Sequence, residues 1–317
     1  MDNKNRCSIV IRAYNEEKHI DKLLRGILAQ TIQDVEIVLV DSGSTDKTVE
    51  IASEYPVKLI HINPEDFSFG YSLNQGIQAC SNEFIAIASA HVYPVYPDWL
   101  ETLLKPFIDP KVALVYGKQR GNETSKYSEH QLFRQWFPDG KTTQQDHPFC
   151  NNANAIIRKS LWEKFPYDET LPGLEDLDWA FRLMNQGYSI QYVPEADIIH
   201  VHQETPSGIY RRYLREGMAF KRIFPHERFG MWDFLRLTTT NIFSDWKAAG
   251  KERKLADHWK DIIWFRVMQF WGTYRGYGRS GLLTWQLKQR FYYPNLVEKQ
   301  VHHAKERKVE PIQYNKQ

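Results

Sequence analysis

VEIVLVDSGSTDKT, residues 35–48, is an apolar run of strand length that ends on an acid and breaks into a Ser-Gly turn. Runs apolar on both faces belong to strands of a parallel sheet buried beneath helices. Asp41 closes the strand, and Ser44, Thr45 and Asp46 are placed to cap a helix reaching about residue 54. The same alternation extends outward. CSIVIRAY at 7–14 reads as a strand and 16–30 as a helix, and VKLIHI at 57–62, a helix over 71–80 and FIAIAS at 84–89 follow. This β-α-β-α-β-α-β order predicts a parallel sheet covered on both faces. Ligands of such sheets sit beyond the carboxyl ends of the strands. Those ends carry Arg12-Ala13-Tyr14-Asn15-Glu16, Asp41-Ser42-Gly43-Ser44 and Ser89-Ala90-His91.

From about 112 to 204 the order becomes mixed. VALVYGKQR reads as a strand, 119–150 as a long polar loop region, 154–158 as a short strand, and IQYV and DIIHVH as two closing strands. Between them stands GLEDLDWAFRL, 173–183, with Glu175, Asp176 and Asp178 at the mouth of an amphipathic helix expected over 175–187. Acids in a first helical turn are favoured by the helix dipole, which accounts for Glu175 as a cap. Asp176, flanked by two other acids, is the candidate general base, because like charges raise a carboxyl's affinity for a proton. His200 and His202 stand two apart in DIIHVH. The reading brings one of them, not both, to the cleft with His91, where two imidazoles would suit an ion such as Mn²⁺. The bland alternative leaves His200 in the core and His202 in a surface loop.

The chain of 317 residues is 42% hydrophobic and 14% aromatic, which excludes a disordered polymer. Net charge is only +2, but from residue 205 onward 22 Lys and Arg face 10 Asp and Glu. An acidic front and a basic, aromatic, helical back through residue 308 suggest two regions, 1–205 and 206–317. The back helices read either as an ordinary cap or oligomer contact, or as a peripheral surface for anionic lipid. Near-neutral total charge argues against nucleic acid. Cys7, Cys80 and Cys150 lack metal or disulfide spacing, as in a reducing compartment. The apolar stretch IIWFRVMQFWGTY, 262–274, is broken by Arg266 and Gln269. With no signal-peptide core in the first residues, the expected location is cytoplasmic, at most at the inner face of the plasma membrane.

The motifs, taken in order, resemble those of the family-2 glycosyltransferases, which carry the GT-A fold, and most of all their bacterial rhamnosyltransferase-like branch. The resemblance runs from Ser8 to about Phe224. It is carried by SIVIRAYNEE (8–17), EIVLVDSGSTDKT (36–48), SLNQGI (72–77), NNANAIIRKSLW (151–162), GLEDLDWAFRL, GYSIQYVPEADIIHVH (187–202) and RRYLREG (211–217). It implies a mixed, mostly parallel sheet flanked by helices, followed by a helical extension. It implies an inverting transfer of a hexose or deoxyhexose from a nucleotide-sugar donor to a hydroxyl of a glycan or lipid-linked acceptor, in bacterial surface polysaccharide synthesis. Arg12, Tyr14, Glu16 and Asp41 would hold the nucleotide. Asp176, beside Glu175, would be the catalytic base, and Asn154, Glu175, Asp178 and Trp179 would shape the sugar and acceptor pocket. Ser89-Ala90-His91 takes the place of the DXD metal motif, with both aspartates lost. The implied cofactor is therefore a divalent cation, Mn²⁺ over Mg²⁺, with metal independence as the alternative. Two other classes are weighed against the transferase. A nucleotidyltransferase would want a glycine-rich basic loop where RAYNEEKH stands. A non-catalytic nucleotide- or sugar-binding protein would not need the intact Glu175-Asp176 pair.

Overall fold

The computed structural model describes residues 6–140, 143–202, 205–278 and 309–314. The helical reading of 279–308 lies outside them. The front of the chain alternates as expected: β1 Cys7–Ala13, α1 Ile20–Leu28, β2 Val35–Asp41, α2 Thr48–Ala52, β3 Val57–His61, α3 Phe69–Gln78, β4 Phe84–Ser89. Then come β5 Val92–Pro94, α4 Trp99–Leu104, β6 Val112–Arg120, α5 Tyr127–Trp136, β7 Thr143–Gln144, β8 Asn154–Arg158, α6 Lys159–Trp162, α7 Glu175–Asn185 and β9 Ser189–His200. Three long helices follow, α8 Pro206–Ile223, α9 Met231–Lys251 and α10 Leu255–Tyr277.

The strands form one sheet in the order β3-β2-β1-β4-β8-β6-β9-β5, with β7 paired to β9. β3, β2, β1 and β4 are parallel; β8 runs antiparallel to both β4 and β6, and β6 is parallel to β9. The sheet is thus mixed and mostly parallel, with helices on both faces. Alternation along β1 shows why. Ile9 and Ile11 face one core with Leu23, Leu24 and Trp99, while Val10 faces the other with Leu73, Ile77, Trp162 and Trp179.

Several expectations on element boundaries are corrected. The stretch 119–150 is not all loop, since α5 lies within it. IQYV and DIIHVH are one strand, with extra residues absorbed where Gly117 pairs Val193 and Gln119 already pairs Ile198. Asp46 does accept the Thr48 N–H at 2.9 Å, but Ser44 accepts from Asn15 N–H at 2.9 Å and so ties the β2 loop to the β1 loop. The aromatics of the back helices divide: Tyr213, Phe220, Phe265, Phe270 and Tyr277 are buried in the core, whereas Trp232, Phe243 and Trp259 are exposed. All three cysteines are free and buried. Among the described residues, no helix is long and apolar enough to cross a membrane.

Candidate active site

The tips of β1 and β4 lie side by side, Arg12 opposite Ser89. They open onto a cleft of about 500 Å³ whose walls include Arg12, Glu16, Ser89, His91, Asn152, Glu175, Asp176, His200, His202, Arg212 and Arg215. Asp176 and the early strand tips therefore share one crevice. α7 is turned into that wall by Leu174, which sits at φ 56°, a left-handed conformation that costs a non-glycine residue roughly 1–2 kcal/mol. The bend puts Glu175 and Asp176 in the first helical turn, both nearly buried.

Asp176 accepts the Asn152 N–H at 3.0 Å on Oδ2 and the Leu177 N–H at 2.8 Å on Oδ1. Burial, and then the charge of Glu175, push its carboxyl up to about 7, against the pull of those two N–H groups and Arg12. Glu175 Oε1 stands 3.4 Å from the Arg12 guanidinium and 3.5 Å from Asn152 Nδ2. Arg12 lies 4.8 Å from the centroid of Phe69, which Arg215 approaches at 5.4 Å. Two guanidiniums thus flank one ring at the cleft wall.

The histidines converge further than expected. β5 pairs with the end of β9, Val92 opposite His200, and the Val201 N–H donates to His91 O at 3.1 Å. Residues two apart on a strand share a face, so His200 and His202 both enter the cleft, and the expectation that only one does is corrected. The ring centroids lie 5.0 Å apart for His91–His200, 5.6 Å for His91–His202 and 4.0 Å for His200–His202. Ligand nitrogens of the three lie within 4.8 Å of one another, and His200 Nε2 is buried without a hydrogen-bond partner. Burial first, then the neighbouring cationic and imidazole groups, hold His200 and His202 well below the ordinary histidine value, so both are neutral. Three converging imidazoles, one with an orphaned buried nitrogen, fit a divalent cation.

The remaining candidates divide. Arg12 and Glu16 line the cleft, and Glu16 Oε1 is engaged by His91 Nδ1 at 2.7 Å. Tyr14 is 56% exposed at the tip of β1. Asp41 is buried at the next tip, where its carboxylate accepts the N–H groups of Gly43 and Ser44, and neither Tyr14 nor Asp41 lines the cleft. Three residues expected in the pocket are not in its walls. Asn154 accepts from Trp99 Nε1 and donates to Lys118 O and Ala196 O in the core. Asp178 pairs with Arg182 at 2.8 Å, and Trp179 is fully buried, its indole N–H on Phe165 O. Sequence reasoning missed Asn152, Gln119, Glu129, Arg212 and Arg215. Asn152 and the arginines lay inside quoted motifs; Glu129 sits on the helix read as loop.

The mixed sheet flanked by helices has the GT-A fold, and a carboxylate pair on α7 and an imidazole cluster face one cleft beyond its strand ends. The family model for glycosyl transferase family 2 matches residues 8–165, so that segment of the chain carries a domain of this family. Among relatives, the O-antigen chain rhamnosyltransferase WbaN of Salmonella anatum is 30% identical over 60% of this chain and 64% of its own length. The chain thus covers a little under two thirds of that protein. RfbN of Salmonella typhimurium, also an O-antigen chain rhamnosyltransferase, is 26% identical over 67% of this chain and 72% of its own. Among solved structures, the mannosyltransferase PcManGT from Pyrobaculum calidifontis, in complex with GDP-Man and Mn²⁺, aligns with TM-score 0.56 and 18% identity, covering 86% of this chain and 84% of that one. S. aureus TarS in complex with UDP-GlcNAc aligns with TM-score 0.51 and 18% identity, over 68% and 66%. At such identities these structures attest the fold.

Proposed function

We propose that the protein is an inverting glycosyltransferase that moves a hexosyl or deoxyhexosyl unit from a nucleotide-sugar donor to a hydroxyl of a glycan or lipid-linked acceptor, in bacterial surface polysaccharide synthesis. The observation that carries this reading is the nearly buried Asp176 carboxyl in the wall of the crevice that the β1 and β4 tips open onto. The names of the Salmonella relatives support the pathway, and the donors bound by PcManGT and TarS support the substrate class.

The chemistry follows from the parts. Asp176 takes the proton of the acceptor hydroxyl as its oxygen bonds to the anomeric carbon. The bond from that carbon to the diphosphate oxygen breaks on the opposite face, and the electron pair leaves with the diphosphate. One displacement inverts the configuration. A carboxyl poised near neutrality is suited to this role. Arg12 and Arg215 face the departing negative charge, and Tyr14 and Asp41 frame the nucleoside side beyond Glu16. A divalent cation held by His91, His200 and His202 would neutralise charge on the leaving group. Residues 1–205 would bind the donor. The region from 206 onward, which lends Arg212 and Arg215 to the cleft, would face the acceptor.

The test is release of nucleotide from a panel of UDP-, GDP-, dTDP- and CMP-sugars, with wild type compared to Asp176→Asn. One donor should turn over, and the variant should lose about 10²–10⁴-fold while still binding it. Binding of a donor with no release by wild type would replace this reading with a non-catalytic nucleotide-sugar binder.

A further inference from the structure

The three histidines are fixed in the same manner. His91 Nδ1 lies 2.7 Å from Glu16 Oε1, His200 Nδ1 2.8 Å from Gln119 Oε1, and His202 Nδ1 2.7 Å from Glu129 Oε1. An acceptor oxygen on each Nδ1 places the ring proton there and leaves Nε2 with its lone pair. Arg212 also comes within 3.0 Å of His202 Nδ1 and 3.3 Å of Glu129 Oε1. The carboxylate contact is the shorter, so it sets the tautomer, and Arg212 balances the charge of the buried Glu129. Oxygens behind Nδ1 that orient a ring for ligation through Nε2 are the outer shell of histidine metal sites. Here that shell is complete for three rings, and the Nε2 of the most buried ring has nothing else to bond.

We propose that the chain binds a divalent transition ion of the Zn²⁺ or Co²⁺ class through three imidazole nitrogens before any nucleotide arrives. An ion held by one protein ligand and the donor's own phosphates would need the donor in place. Three preoriented nitrogens do not. Their donor set also departs from the Mn²⁺-over-Mg²⁺ expectation. Imidazole suits borderline ions, whereas Mg²⁺ wants oxygen and keeps its water. Three protein ligands leave coordination positions open for oxygens of a diphosphate. This deepens the cation assignment in the proposed function, yet rests on the rings and their partners alone.

The test uses the full chain, stripped with chelator and free of nucleotide, titrated calorimetrically with Zn²⁺, Co²⁺, Mn²⁺ and Mg²⁺. Visible absorption of the Co²⁺ form reports nitrogen coordination. One Zn²⁺ or Co²⁺ should bind per chain, with no heat from Mg²⁺ at the same concentrations. His91→Ala should abolish that binding. Gln119→Leu, which keeps all three rings, should weaken it about 10- to 100-fold; circular dichroism checks that each variant is folded. Ion binding that appears only with nucleotide, or Zn²⁺ binding unchanged in folded His91→Ala, would overturn the proposal. Nucleotide-sugar turnover is assayed separately. Zn²⁺ binding without turnover would defeat the transferase reading alone, and turnover without nucleotide-free ion binding would defeat this one alone.

Discussion

In the proposed transfer Asp176 is the base, and its environment has a consequence for stability as well as for rate. Its carboxyl is raised from the ordinary 3.8 to about 7 by burial and then by the charge of Glu175. Between those values the folded protein holds more protons than the unfolded chain, so this site's contribution to stability falls as pH rises from about 4 to about 7. Asp176→Asn removes the titration. Its unfolding free energy relative to wild type should therefore move in the variant's favour between pH 5 and pH 8, by on the order of 2–4 kcal/mol. Urea unfolding at the two pH values checks this, and a difference that ignores pH would show that the carboxyl titrates normally. The same proton should appear as the acidic limb of the transfer rate, with activity rising as pH passes 7. Asp176 and Glu175 could be picked out from sequence because clustered acids at a helix mouth are a local pattern. The roles of Asn154, Asp178 and Trp179 could not. Whether a polar side chain ties two strands or faces a cleft depends on partners far away in the chain, such as Trp99 for Asn154.

At the scale of elements, period and composition made β1 through β4 legible, because buried parallel strands are continuous apolar runs. α5 was not, because its sequence YSEHQLFRQW is polar on average. Two of its buried polar residues find their partners far off in the chain: Ser128 donates to Asp245 at 2.6 Å, and Glu129 receives His202. Asp245 in turn pairs with the buried Arg266 at 2.8 Å, so α5, α9 and α10 lock together through one network. α8 and α10 cross closely, and a Cβ placed on Gly276 would meet Leu214 O at 2.5 Å, that on Gly272 Tyr210 O at 2.6 Å. Gly276→Ala should therefore destabilise the protein by about 1–3 kcal/mol through forced separation of the helices, measurable as a lowered melting temperature. An unchanged melting temperature would mean that the crossing is looser. On the outer side of α9, Trp232, Leu235 and Phe243 are 73%, 48% and 64% exposed and fall at helical spacing. If the back helices form the peripheral surface for anionic lipid that the sequence offers as one reading, this stripe is the face that would meet it. Trp232→Ser with Phe243→Ser should cut co-flotation with phosphatidylglycerol vesicles several-fold while leaving turnover of soluble substrates intact. Equal flotation would remove the stripe from the account.

Across the whole molecule, the cleft is assembled from segments distant in sequence: Arg12 and Glu16 after β1, His91 after β4, Asn152 before β8, Glu175 and Asp176 on α7, the histidine pair on β9, and the arginines of α8. The mixed sheet makes this assembly possible. Insertion of antiparallel β8 beside β4 brings Asn152 to the base, and pairing of β5 with the end of β9 brings His91 to His200 and His202. Strand order of that kind has no local signature, which is why the sequence motifs pointed to one partner histidine where the fold supplies two. The claim on which the account rests is that donor sugar, base and imidazole cluster meet in this single crevice. A crystal structure with a bound nucleotide-sugar measures it directly. The diphosphate is predicted to lie between the histidines and Arg12, with the anomeric carbon presenting to Asp176 the face opposite the leaving oxygen. A donor seated outside the cleft, or an anomeric carbon turned away from Asp176, would contradict it.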